Sequence, residues 1–314
     1  MQRARAPIAI VGPTAVGKTA AGEVIAASIG GEIVSADSMQ VYRGMDIGTA
    51  KTPADDRKVA HHCIDLVEPG EPYAAALFQR DARDSIAEIL ARGLTPVVVG
   101  GTGLYVRAAL DQFDFPQGDV SGDIRARIER RAREIGPEAL HAELAEVDPD
   151  AARLIHPNNV RRTVRALEML SAGRRYSDQA SGFRARVDHY PGTVFLGLMM
   201  ERAALYDRVD RRVDAMVRAG LLGEVERLVA AGYREALTSM QAISYKELLP
   251  VLDRTVSLDE AVEDIKRATR RYAKRQLTWF RADPRIRWID VTCQSPDQAA
   301  EAALHLLESS PHSR

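Results

Sequence analysis

Residues 12–19, GPTAVGKT, fit the pattern G-x-x-x-x-G-K-[ST] directly after the apolar run PIAIV. These residue types suit one task, the holding of phosphate. Glycines let successive backbone N–H groups converge on anionic oxygens, and a helix starting at the end of the loop adds its positive terminus. Gly12, Pro13, Thr14, Ala15, Val16 and Gly17 form the cradle, Lys18 brings a point charge, and the Thr19 hydroxyl is placed to reach Mg²⁺, the implied cofactor. With a strand before and a helix after, the motif assigns phosphate binding but leaves open which phosphate compound is bound.

Further stretches can join that loop. In SADSMQVYRGMDIGTAK, Asp37 falls at the carboxyl end of an apolar run, which in a doubly wound sheet lies beside the phosphate loop. A carboxylate there is either a proton acceptor aimed at a nucleophile or a side-chain cap on the next turn. In GGTGLY, Thr102 stands among Gly100, Gly101 and Gly103, where backbone can approach closely and a hydroxyl can donate and accept; a plain turn is the alternative. HPNNVRRTVRALEML sets Arg161 and Arg165 one helical turn apart with Arg162 beside them, behind Asn158 or Asn159 as N-cap. Such a comb can pin nucleic-acid phosphates. RRYAKRQLTWFR interleaves Tyr272, Trp279 and Phe280 with basic residues, a mixture suited both to RNA contact and to helix packing.

These groups need a scaffold. Apolar runs at 7–11, 32–37, 96–101, 193–200 and 286–292 read as buried parallel strands. Helical patterns alternate with them: AAGEVIAASIGG after the loop, with Gly30 and Gly31 as its cap, and a face of Leu205, Val209, Val213, Met216 and Val217 that Gly220 ends. The alternation predicts an α/β fold, a P-loop NTPase-like doubly wound parallel sheet. It stops between Phe113 and His189. After the polar connection DQFDFPQGDVSGD that segment carries helical patterns only, so we expect an all-helical insertion domain at 113–189 in a core of 1–112 and 190–314. The tail after Ser309 is expected to be disordered.

Composition narrows the class. The formal net charge of the 314 residues is −1, yet basic residues cluster: eight arginines face two acids from Arg153 to Arg186, and nine Lys or Arg face one acid from Lys266 to Arg287. Two basic blocks on a neutral chain suit local contact with a polyanion, and they equally suit solvated helix faces. Two distant cysteines, Cys63 and Cys293, exclude a zinc module and argue against a disulfide framework, which points to the reducing cytoplasm. No apolar stretch approaches the ~20 residues of a membrane span, so no membrane association is expected.

Taken in order, GPTAVGKT, SADSMQVYRGMDIGTAK, GGTGLY, RRTVRALE, MQAISYKEL and YAKRQLTWFR resemble the bacterial tRNA dimethylallyltransferases over roughly residues 7 to 290. The loop alone is shared with kinases; DSMQVY, DIGTAK and KRQLTWFR are not. The resemblance implies a monomeric prenyltransferase acting on the tRNA anticodon stem-loop. The exocyclic amine of the adenosine just 3′ of the anticodon would attack dimethylallyl diphosphate and release diphosphate. It implies that Asp37 is the base, that Lys18, Thr19-bound Mg²⁺ and Arg208 or Arg212 compensate the diphosphate, and that Thr102 contacts tRNA near the reacting base. Further tRNA contacts would come from Asp37, Ser38, Met39 and Gln40, from Arg125, from Arg161, Arg162, Thr163, Val164 and Arg165, and from Gln241, Ala242, Ile243, Ser244, Tyr245 and Lys246.

The chain departs from that pattern twice. Serine stands at 244 where the family has glycine, a strained choice if the position needs a positive φ. AGRR replaces Thr-Gly-Lys after RALEML. Three competing readings remain: an adenylate isopentenyltransferase, which acts on a free nucleotide and needs no RNA-gripping insertion; an NTP-dependent P-loop kinase; and a non-catalytic RNA-binding module, which the set Lys18, Thr19, Asp37 and Thr102 argues against.

Overall fold

The apolar runs become the strands of one parallel sheet. The computed structural model describes residues 6–113, 115, 123–184, 186–236 and 238–308. The tail after Ser309 and most of DQFDFPQGDVSGD lie outside these residues. Two compact units emerge, residues 1–110 with 188–314 and residues 111–187.

In the first unit the chain runs β1 (Ile8–Val11), α1 (Lys18–Ile29), β2 (Gly31–Ser35), β3 (His61–His62), α2 (Ala75–Ala91), β4 (Thr95–Gly100) and α3 (Gly103–Leu110). Among the described residues the second unit holds only helices: α4 (Asp123–Ile135), α5 (Pro137–Val147), α6 (Pro149–Leu154), α7 (Val160–Ser171) and α8 (Tyr176–Arg184). The first unit resumes with β5 (Val194–Met199), α9 (Arg202–Arg218), α10 (Leu221–Ala230), α11 (Leu249–Leu252), α12 (Leu258–Arg281), β6 (Ile286–Asp290) and α13 (Pro296–Glu308).

The strand order is β3-β2-β4-β1-β5-β6, and every pairing is parallel. β1, β2 and β4 are fully or nearly fully buried, which explains their continuous apolar character. Ile8 and Ile10, Val97 and Val99, and Leu196 and Leu198 form one cluster with Ala21 and Ile25 of α1 and with Ala299, Ala300 and Ala303 of α13. The two-residue edge strand β3 escapes a periodicity reading because two residues carry no period. Gly30 caps α1 in the left-handed region, its N–H bonded to the Ala26 carbonyl, whereas Gly31 is already the first residue of β2.

This order matters for chemistry. β1 sits between β4 and β5, and β4 sits between β1 and β2, so the loops after Val11, Ser35 and Gly100 leave three adjacent strands at their carboxyl ends. Ligands of open α/β sheets bind at such a crevice. Within the second unit, Leu144, Ala151, Ile155 and Ala166 form one cluster and Ala132, Leu140 and Val164 another.

Candidate active site

The phosphate loop is built from left-handed backbone. Ala15 has φ 65° and Gly17 has φ 101°, the latter serving as N-cap of α1 without a side-chain hydrogen bond. The first-turn N–H groups of α1 are therefore left to a ligand. Lys18 folds back over the loop, its Nζ donating to the Pro13 carbonyl at 2.7 Å. Burial pulls the Lys18 ammonium down to about 7, with the Asp37 carboxylate opposing that fall and Arg212 adding to it. Burial lowers Arg212 as well, against the pull of Asp37. Lys18 and Arg212 are thus both desolvated beside the loop, with the Asp37 carboxylate the group that favours their charged forms.

Three chambers adjoin the loop. An outer one of about 580 Å³ is lined by Ala15, Gly17, Arg208, Arg211, Arg212 and Thr292. An inner one of about 60 Å³ has Lys18, Thr19, Asp37, His61 and Arg212 in its wall. The third, the large chamber of the two that Asp37 lines, measures about 310 Å³ and is walled by Asp37, Ser38, Met39, Val213, Met216, Tyr272 and the whole segment Gln241 to Lys246. Arg212 lines all three, while Arg208, one helical turn earlier on α9, lines the outer one. The sequence left the two open, and the fold gives each a different place.

At Asp37 the structure shows the side-chain cap, one of the two readings that its position allowed. Its Oδ1 accepts the Met39 N–H at 3.0 Å, capping the turn, which leaves Oδ2 to the chambers. Thr102 is joined to the same turn. Its Oγ1 accepts the Ser38 N–H at 3.1 Å and lies 3.3 Å from Ser38 Oγ, while its own N–H donates to the Ala36 carbonyl. Gln40 is engaged within the fold, accepting from Ser35 Oγ at 2.8 Å and donating to the Thr49 carbonyl.

Ser244 is nearly fully buried at φ 84°, so serine occupies the left-handed conformation that favours glycine. Its N–H donates to Glu247 Oε2 at 2.9 Å. Tyr245 lines the large chamber, and its hydroxyl is committed to Glu224 Oε1 at 2.6 Å. Lys246 is exposed, 3.6 Å from Glu247. Of the aromatics on α12, Phe280 is core, Tyr272 lines the large chamber and Trp279 is 37% exposed.

The helical unit corrects part of the sequence expectation. Asn159 is the N-cap of α7, accepting the Arg162 N–H. Thr163 and Val164 point into the core at 0% and 1% exposure, so their side chains cannot meet a ligand. Arg165 pairs with the buried Glu168 at 2.9 Å, and Arg125 lies 3.7 Å from that carboxylate and 3.0 Å from Glu129. Arg161 and Arg162 are exposed.

Two functional candidates escaped the sequence reading. Gln276 on α12 reaches the phosphate loop, and Glu224 on α10 gathers the N–H groups of Asp46, Ile47 and Gly48. Each left a signal, a polar residue on the buried stripe of an amphipathic helix: Ala273, Gln276 and Phe280 in one, Leu221, Glu224, Val225 and Leu228 in the other.

Comparison with known proteins places the chain as a whole among tRNA-modifying transferases. The IPP transferase family profile matches residues 40–283. The tRNA dimethylallyltransferase of Carboxydothermus hydrogenoformans is 48% identical over 296 residues, 94% of each chain. That of Shouchella clausii is 50% identical over 277 residues, 87% of each chain. The crystal structure of full-length tRNA isopentenylpyrophosphate transferase from Bacillus halodurans superposes with a TM-score of 0.70 at 44% identity, covering 96% of this chain and 95% of that one. A eukaryotic dimethylallyltransferase, solved acting on tRNA, gives a TM-score of 0.81 at 29% identity over 98% of this chain and 80% of its own.

Proposed function

The chain belongs to the IPP transferase family, and from that premise we propose that it moves a dimethylallyl group from dimethylallyl diphosphate to the N6 amine of the adenosine 3′-adjacent to the anticodon in tRNA. The observation that carries the reading is that Asp37 shares one small cavity with Lys18, Thr19 and Arg212. A proton acceptor thus faces a grip for an anionic leaving group, and the reaction needs both at once.

The amine nitrogen forms a bond to the first carbon of the donor. The carbon–oxygen bond to diphosphate breaks, its electron pair leaving with the diphosphate, and the amine proton passes to Asp37 Oδ2. An adenine amine is a weak nucleophile because its lone pair is delocalised into the ring, so a hydrogen bond to a fixed carboxylate helps it as the new bond forms. Negative charge grows on the leaving diphosphate, where the loop N–H groups, Lys18, Arg208 and Arg212 oppose it.

Mg²⁺ fits the same place. The Thr19 hydroxyl lines the inner chamber, and among the described residues no group of three His, Cys, Asp or Glu is arranged to cage a metal. One hydroxyl plus phosphate oxygens and waters is a donor set typical of Mg²⁺. Bound there, the ion adds charge compensation at the diphosphate.

The reacting base must leave its stack, at a cost of a few kcal/mol. The large chamber, with Tyr272 and Tyr245 in its wall, is the receiving pocket, and the exposed Arg161 and Arg162 of the helical unit grip phosphates of the anticodon stem-loop. The protein works as a cytoplasmic monomer on this reading. Among the described residues no helix is long and apolar enough to cross a membrane.

The test is nucleoside mass spectrometry after mixing the protein with unmodified tRNA, Mg²⁺ and dimethylallyl diphosphate. N6-dimethylallyladenosine is the expected product. Modification of free adenosine phosphate alone would replace tRNA with a nucleotide acceptor, and consumption of ATP would replace prenyl transfer with phosphoryl transfer.

A further inference from the structure

Gln276 lies in the middle of α12, 6% exposed, and uses both ends of its amide. Oε1 accepts the Thr14 N–H of the phosphate loop at 2.8 Å, and Nε2 donates to the Gly101 carbonyl at 2.9 Å. Gly101 is followed directly by Thr102 at the start of the loop after β4. Thr102 in turn holds Ser38, the neighbour of Asp37. One side chain therefore starts a run of hydrogen bonds from the phosphate cradle, through the loop after β4, to the turn that carries the proton acceptor.

The sheet does not supply that link. β1 and β4 are hydrogen-bonded neighbours, with Val11 opposite Gly100, but this fixes only the roots of the two loops. An amide is suited to join them. It presents an acceptor and a donor in one plane, whereas a carboxylate has no donor, an ammonium no acceptor and a thioether only a weak acceptor. The backbone makes room for it, because a Cβ on Gly101 would sit 2.3 Å from Gln276 Nε2.

The geometry points to Gln276 as a positioning residue that sets the separation between the leaving diphosphate and Asp37. This inference rests on the proposed prenyl transfer. Reacting atoms must lie roughly 3–3.5 Å apart and aligned, and a misplacement of about 1 Å costs on the order of 10²-fold in rate. Gln276 touches neither substrate; it acts through Thr14 and Gly101.

Gln276→Met keeps the length of the side chain and removes both strong hydrogen bonds. With tRNA and donor saturating, its single-turnover rate should fall roughly 10- to 100-fold. Dissociation constants for tRNA and for dimethylallyl diphosphate should stay within about threefold, because the groups that bind them are untouched. Hydrogen exchange at the Thr14 amide should accelerate once its acceptor is gone. A rate within twofold of wild type, or weakened substrate binding with an unchanged saturated rate, overturns the inference. Should Gln276→Met fail to fold, Gly101→Ala decides the matter, since it displaces the amide by contact and should give the same split. Wild-type protein run alongside separates the two hypotheses: absence of transfer by wild type sinks the proposed function, whereas Thr14 amide exchange still tests the bridge.

Discussion

Replacing Glu224 by glutamine changes one oxygen into an NH₂ group and should cost this fold several kcal/mol. Glu224 is 1% exposed and accepts four hydrogen bonds. Oε2 receives the N–H groups of Asp46 at 3.0 Å and Ile47 at 2.8 Å; Oε1 receives Gly48 N–H at 3.1 Å and the Tyr245 hydroxyl at 2.6 Å. Every partner is a donor, so an NH₂ group placed at either oxygen meets two of them. The cheaper orientation puts it at Oε1, where the Tyr245 hydroxyl can rotate and accept, leaving Gly48 N–H facing another donor. One hydrogen bond to a charged acceptor is then lost, at about 1.5–3 kcal/mol, and the bonds at Oε2 fall to neutral strength. The sum is about 3 kcal/mol, a large share of the roughly 5–15 kcal/mol by which domains are stable.

Urea denaturation followed by intrinsic fluorescence measures this cleanly, because the two tryptophans, Trp279 and Trp288, both belong to the sheet-bearing unit. Tyr245→Phe removes one of the same bonds, so the double variant should lose less than the sum of the singles. A Glu224→Gln shift below about 1 kcal/mol, or strict additivity with Tyr245→Phe, would refute the clamp. The site should register the change as well, since Gly48, Thr49 and Tyr245 line the large chamber.

Other substitutions separate roles within the site. Asp37→Asn keeps an oxygen for the Met39 N–H and removes the base, so turnover should fall ~10²-fold or more with tRNA affinity unchanged; parallel loss of both would make Asp37 an RNA-positioning group. Ser244→Gly relieves a left-handed serine at about 1–2 kcal/mol and adds about 0.5–1 kcal/mol of chain entropy to the unfolded state, a net gain of up to about 1.5 kcal/mol in the same urea assay. A loss of stability there would show that the serine side chain matters more than its φ. Replacing Arg161 and Arg162 together by glutamine should weaken binding to all tRNA sequences alike and flatten the salt dependence by roughly one to two in slope; an unaltered slope would mean that neither meets a phosphate.

What the sequence made legible and what it hid divide along a physical line. The phosphate loop, Asp37 and Thr102 could be read because each is a contiguous stretch whose backbone conformation is encoded locally, and because parallel strands send such stretches to one edge of a sheet. The strain at Ser244 was legible only through the resemblance, because a glycine in the family at that position signals a positive φ that serine resists. Gln276 and Glu224 could not be placed, because their partners are remote: Thr14 is 262 positions from Gln276, and Gly48 is 176 from Glu224. A single chain gives no means of pairing such distant positions. The same limit hides the surroundings of Thr163, Val164 and Arg165. Three neighbours on a basic helix look equally available until packing turns two inward and sets a buried Glu168 against the third. The local motif supplies the reactive groups, and the distant pairings fix the separations between them. A variant that leaves the phosphate loop, Asp37 and Thr102 in place but severs a distant pairing therefore retains its ligands and loses rate, and Gln276→Met is designed to produce that result.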